Sequence, residues 1–239
     1  MLLAIDVGNT SVVFGLFQGK KLVREWRCPT LDFKFPNIKA KVDQIIVASV
    51  VPALDRRLKA EGEKRFGLKP FFVTARNIPG IGIRMRDKNE VGADRVVDAL
   101  AAYTLYKGSC IVVDFGTATT FDVISKAGEY LGGAIAPGIA LARDALFEQT
   151  AKLPKVKIEA PKRVIGNDTV SAMQSGLVYG YVSMVEGMVK RLGKGCKVIA
   201  TGGYAKLICK YTKVVDRIDE KLTLKGLRII ADDLEMGKA

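Results

Sequence analysis

Histidine is absent from the 239 residues, which excludes every mechanism that needs an imidazole base and every metal site that needs a histidine ligand. Cysteine is scarce, with Cys28, Cys110, Cys196 and Cys209 scattered and no C-x-x-C pair. Three of the four adjoin apolar runs, so they read as reduced core thiols. No apolar run approaches the ~18 residues that cross a bilayer, and the chain opens on a strand ending in Asp6 rather than on a basic-then-apolar leader. A cytoplasmic protein without a membrane partner is expected. Neither a G-x-x-x-x-G-K-[ST] loop nor a G-x-G-x-x-G turn is present, so any nucleotide must be held another way. Long runs of one charge are also missing. The formal charge of +13 and pI near 9.6 come from short interrupted groups such as Arg56, Arg57 and Lys59, residues 152–162 and residues 190–197. These read as solvated faces that suit anionic small substrates, and no nucleic-acid partner is expected.

What is present is a large apolar fraction, 49%, enough for one large or two small domains. Residues 2–17, LLAIDVGNTSVVFGLF, join two apolar runs through a turn carrying Asp6, Gly8, Asn9 and Thr10. Residues 111–123, IVVDFGTATTFDV, repeat the plan around Asp114, Gly116 and Thr117. Such a turn offers backbone N–H groups and hydroxyls to an anion while its carboxylate holds a cation. Each turn alone also reads as an ordinary β-hairpin. The doubling, with a third strand after each hairpin at residues 20–27 and 129–136, points to two related halves and a ligand cleft between them.

Between the hairpins, residues 42–50 and 71–73 read as strands around a helix at 53–66, and residues 76–91 as an irregular connector. From Gly92 the spacing turns helical, which puts Asp94 in a first turn where the macrodipole favours its ionised form. That position equally suits a residue that merely charges the helix start. After the second meander come a helix at 139–150, a basic loop at 152–163 and the longest helix, 169–192. Its stripes of Val170, Met173, Leu177, Tyr181, Met184 and Met188, and of Val178, Val182, Val185, Val189 and Leu192, are joined by small residues Gly176, Gly180, Ser183 and Gly187. A helix apolar on nearly every side must be covered on every side, so one face is expected to pack on its own sheet and another on a second copy in a two-fold dimer. A strand at 197–200 leads to Thr201-Gly202-Gly203, where a flat ligand can lie on the backbone, and a helix closes the chain at 222–235.

Two acid-glycine-hydroxyl hairpins with a later Thr-Gly-Gly turn resemble the duplicated ATP-binding core of actin, heat-shock chaperones and the acetate and sugar kinases. The resemblance implies an α/β fold of two ribonuclease H-like domains with mixed five-stranded sheets, at 1–105 and 106–239, the latter holding the dimer helix. The blocks DVGNT (6–10), EVGADR (90–95), DFGTATTFD (114–122), GGAIAPG (132–138), TAKLP (150–154) and TGG (201–203) together look like a type III pantothenate kinase. That resemblance implies transfer of the γ-phosphate of ATP to the primary hydroxyl of pantothenate, the first step of coenzyme A biosynthesis. By the same resemblance Asp6, Val7, Gly8, Asn9, Thr10, Ser11, Val12 and Val13 would bind ATP with Thr117, and Asp6 would organise Mg²⁺, directly or through water. Asp94 would accept the hydroxyl proton, while Gly92, Ala93 and Arg95 would line the pantothenate pocket. Asp114 would bind K⁺ or NH₄⁺, and Thr169 would reach pantothenate near the dimer interface. The family often has an aromatic residue where this chain has Met85, which supplies apolar contact but no hydroxyl. The rival readings are a non-catalytic nucleotide-binding regulatory relative and a kinase of another small hydroxyl substrate.

Overall fold

The computed structural model describes residues 1–193 and 195–236, so Lys194 of the basic group at 190–197 and the last three residues of the expected second domain lie outside the described residues. The chain divides into two compact units. The first holds Met1–Leu105, Gly128–Tyr130 and the C-terminal segment from Lys221, and the second holds Tyr106–Ala127 and Leu131–Glu220.

In the first unit, β1 (Leu2–Val7), β2 (Ser11–Gln18) and β3 (Lys21–Pro29) form the expected meander, and β4 (Gln44–Ser49), α1 (Pro52–Phe66) and β5 (Phe71–Val73) follow. The sheet order is β3-β2-β1-β4-β5, with β1 antiparallel to β2 and parallel to β4. The interior strand β2 is buried along most of its length, whereas β3 at the edge has only exposed and half-buried residues. One face carries Leu3, Ile5, Val7, Phe14 and Val47 into a core with Leu58 of α1. The opposite face carries Ala4, Val13, Ile46 and Ala48 into a core shared with α2 (Ala93–Tyr106) and the C-terminal helix.

The second unit repeats this order. Its strands β7 (Cys110–Phe115), β8 (Ala118–Ile124), β9 (Glu129–Pro137), β10 (Lys197–Thr201) and β11 (Arg217–Ile218) run β11-β10-β7-β8-β9, the same topology read from the other edge. Between β9 and β10 the chain inserts α3 (Ile139–Glu148) and α4 (Thr169–Leu192), and α5 (Ala205–Cys209) occupies the place of α1. Asp168 caps α4, its carboxylate accepting the Ser171 N–H at 2.9 Å while the Ser171 hydroxyl accepts the Asp168 N–H.

Several expectations change. The connector at 76–91 is not wholly irregular: it contains β6 (Gly82–Ile83), paired with Glu129 and Tyr130, and a 3-10 turn at Lys88–Glu90. That pairing makes the second ladder six strands where five were expected. The closing helix α6 (Leu222–Met236) packs Leu224, Leu227 and Ile230 into the core of the first unit, although its sequence position suggested the second domain. Cover of α4 is partial. Met173, Leu177, Val178, Val182 and Val185 are buried, but Gly176, Gly180 and Ser183 are exposed, and a Cβ placed on Gly176 or Gly180 would meet nothing within 4 Å.

At the end of α2 the Tyr106 hydroxyl donates to Asp219 Oδ2 at 2.8 Å. Burial, reinforced by that carboxylate, pushes the phenol up to about 12. The folded value lies above the ordinary ~10, so the stability this group contributes is complete below pH ~10 and is lost as pH rises through the folded value. Ultraviolet titration should show one phenol ionising near the top of the alkaline range, and Tyr106→Phe should remove that step. An unchanged titration curve in the variant would refute the assignment.

Candidate active site

Each turn is delivered by the end of a central strand. Asp6, partly buried near the end of β1, sits in register between Val13 and Ala48, whose side chains enter the core that also contains Ala93 of α2. Cross-strand neighbours share a face, so Asp6 projects on the side of the first sheet where α2 begins. Beyond it the Gly8 N–H closes the turn on Ser11 O at 3.1 Å, and Asn9 and Thr10 are exposed. Two further bonds fix this turn from behind. The Thr30 N–H donates to Thr10 O at 3.1 Å and the Thr30 hydroxyl to Gly8 O at 2.6 Å.

The second turn is built the same way. Asp114 near the end of β7 lies in register between Thr120 and Thr201. The Gly116 N–H donates to Ala118 O at 3.1 Å, and the Gly138 N–H, just after β9, donates to Thr117 O at 3.1 Å. A Cβ on Gly138 would lie 2.3 Å from Thr117 O, so only glycine permits this approach. The Thr-Gly-Gly turn meets Asp114 directly. Gly202 has φ +88° and a Cβ there would stand 2.2 Å from Asp114 Oδ1, which excludes any larger residue on two counts. The sequence named both Asp114 and the glycine turn but not that they touch.

Asp94 lies in the first turn of α2, as the spacing predicts. Its Oδ1 accepts the Arg95 N–H at 2.8 Å, and a Cβ on Gly92 would lie 2.5 Å from the same oxygen and 3.5 Å from Val50 Cγ1. The glycine therefore makes room for the carboxylate. Gly92 and Ala93 also form part of the wall of a cavity of about 360 Å³. Its apolar side comprises Val50, Val73, Ala75 and Val91, and Arg76, Lys88, Glu90 and Asn89 stand among its polar groups. Arg76 Nε donates to Asn89 Oδ1 at 2.5 Å. Neither Arg76 nor Asn89 was singled out from sequence, because an irregular connector carries no periodic signal. The Arg95 guanidinium sits 5.9 Å from the centroid of the buried Tyr130 ring. Met85 is half-buried in the connector and does not line the cavity, and Thr169 is exposed at the first position of α4 in the second unit.

The cysteines are poor candidates for chemistry. Burial pushes the thiols of Cys110 and Cys209 up to about 11, so both stay protonated at neutral pH. Among the described residues no cluster of three or more His, Cys, Asp or Glu side chains is placed to hold a metal. Carboxylates outside any such cluster, Asp6 and Asp114 among them, suit hard cations that take most of their ligands from phosphate, water or backbone oxygen.

A family model described as type III pantothenate kinase matches residues 2–191. The chain is 46% identical to the type III pantothenate kinase of Myxococcus xanthus, covering 96% of this chain and 97% of that one. With the Moorella thermoacetica enzyme it shares 46% identity over 96% and 98% of the two chains. Among solved structures, a Campylobacter jejuni protein named for the Baf family of transcriptional activators superposes with a TM-score of 0.68 at 22% identity, covering 98% and 99% of the chains. The Clostridium difficile activator of 2-hydroxyisocaproyl-CoA dehydratase, solved with bound ADPNP, gives 0.55 at 10% identity over 99% and 96%. At these identities the structural neighbours speak for the fold alone.

The Gly92 geometry predicts that Gly92→Ala rotates the Asp94 carboxylate away from the Arg95 N–H while the fold persists. A crystal structure of the variant checks this, and an unmoved carboxylate would contradict it.

Proposed function

The chain belongs to the type III pantothenate kinase family and phosphorylates pantothenate with ATP in coenzyme A biosynthesis, and from that premise we propose how its residues divide the work. Residues 6–13, with Thr117, bind the nucleotide, and Asp6 holds Mg²⁺ beside the phosphates. Asp94 accepts the proton of the attacking hydroxyl. Gly92, Ala93 and Arg95 bind pantothenate, Met85 contacts its outer part from beyond the cavity wall, and Arg95 faces the substrate carboxylate. Asp114 holds K⁺ or NH₄⁺. The observation that carries this reading is the placement of the Asp94 carboxylate, fixed by the Arg95 N–H and fitted over Gly92, a glycine that itself lines a cavity.

Phosphoryl transfer through a loose transition state asks chiefly for alignment and charge neutralisation, so an ordinary carboxylate suffices as the proton acceptor. Asp94 needs no raised pKa; it needs a fixed position, which the first turn of α2 supplies. Asn9 and Thr10, both exposed, bring the backbone and side-chain donors of the turn to phosphate oxygens. When bound, Mg²⁺ supplies positive charge against the phosphates. The cavity gives the apolar body of pantothenate a place out of water.

The proposed assembly is a homodimer through the helix at 169–192. The open face at Gly176 and Gly180, where nothing lies within 4 Å of a Cβ, supports close approach by a second helix, and Thr169 then stands near the partner. We place the protein in the cytoplasm; no described helix is long and apolar enough to cross a membrane. No nucleic-acid partner is proposed.

Asp94→Asn should lower kcat by about 10²-fold or more while leaving ATP affinity within a factor of about two. Pantothenate-dependent ADP formation, measured with Mg²⁺ in K⁺ and then in Na⁺, checks this, and the rate should fall in Na⁺. Near-normal turnover in the variant would remove Asp94 from the role of base. Sedimentation at micromolar concentration should show a dimer, and Gly180→Leu should shift it toward monomer; wild-type protein that sediments only as monomer would refute the interface.

A further inference from the structure

We infer that Thr30 is a positioning residue for the nucleotide turn, an inference that rests on the reading of residues 6–13 as the ATP site. Thr30 is 9% exposed although it lies between exposed Pro29 and fully exposed Leu31. Burial of a polar side chain in such a setting needs a partner, and the partner is the turn itself. The hydroxyl donates to Gly8 O at 2.6 Å, and the N–H of the same residue donates to Thr10 O at 3.1 Å. Both bonds therefore converge on carbonyls that flank Asn9.

The consequence follows from peptide planarity. In a trans peptide the C=O of one residue and the N–H of the next point in opposite directions. Holding Gly8 C=O on Thr30 turns the Asn9 N–H away from Thr30, and that N–H has no acceptor among the described residues. It is left for an anion. Without the hydroxyl the Gly8–Asn9 peptide is free to rotate, and the donor that should meet phosphate loses its direction.

The second half of the chain carries the same device in simpler form. Gly138 follows β9 as Thr30 follows β3, and its N–H is bonded to Thr117 O in the second turn. There the backbone approaches too closely for any side chain, so only the first turn gains a hydroxyl clamp.

The test compares full-length wild type with Thr30→Val, which keeps the shape and removes the donor, and Thr30→Ser, which keeps the donor. Initial rates of ADP formation are measured with ATP and pantothenate varied separately. Thr30→Val should raise the KM for ATP about tenfold and leave that for pantothenate within about twofold, while Thr30→Ser should stay within about twofold of wild type for both. If Thr30→Val does not fold, Thr30→Ala provides the same comparison. A folded variant with unchanged KM for ATP, or one in which both KM values rise together, would overturn the positioning role. Wild-type protein with no pantothenate-dependent turnover would overturn the ATP-site reading beneath it, a distinct result.

Discussion

Along β1, Leu3, Ile5 and Val7 enter the core that holds Leu58, and Ala4 enters the opposite core with α2 and α6, so Asp6 has its face decided by alternation alone. A slip of one residue in the pairing with β2 or β4 would bury the wrong set and turn Asp6 to the α1 side. The apolar run thus does more than hold the sheet together. It aims an acid at the side on which Asp94 begins its helix. The two acids are brought to one face by packing that neither of them takes part in.

In the proposed division of labour, the turns that follow the strands must grip phosphate without a P-loop lysine. Backbone N–H groups serve only if their peptides are held, and a short exposed turn does not hold itself. Both units answer by tying turn carbonyls to the residue after the third strand, Thr30 in one case and Gly138 in the other. That this solution recurs at equivalent places argues that it came with the duplicated architecture. Gly202 adds a further constraint in the second unit only, where its closeness to Asp114 couples the Thr-Gly-Gly turn to the carboxylate.

Much of this was legible in the sequence, for identifiable reasons. Two meanders announced themselves by apolar runs around Asp-x-Gly turns, and α4 by its 3.6-residue periodicity, which gave its limits of Thr169 and Leu192 directly. Asp94 was placed because a change of periodicity at Gly92 marks a helix start. The parts that stayed hidden depend on partners distant in sequence. A two-residue strand at Gly82–Ile83 has no period to read, and the allegiance of α6 to the first unit is a matter of packing rather than of order. Thr30 gave only the hint of a Thr after Pro at a strand end. Its bonds to Gly8 and Thr10 exist only once the β2–β3 register is set. The cavity residues Arg76 and Asn89 likewise meet only through the fold of the connector.

The halves repeat in topology but differ in the charge carried by their helices. By order, α6 follows β11 as α2 follows β5, and both helices enter the same core of the first unit. Yet the first turn of α2 carries Asp94, while that of α6 carries no acid. The duplicated scaffold thus repeats the turn but not the helix-borne acid, and on the proposed reading one such acid is all that a single acceptor hydroxyl requires.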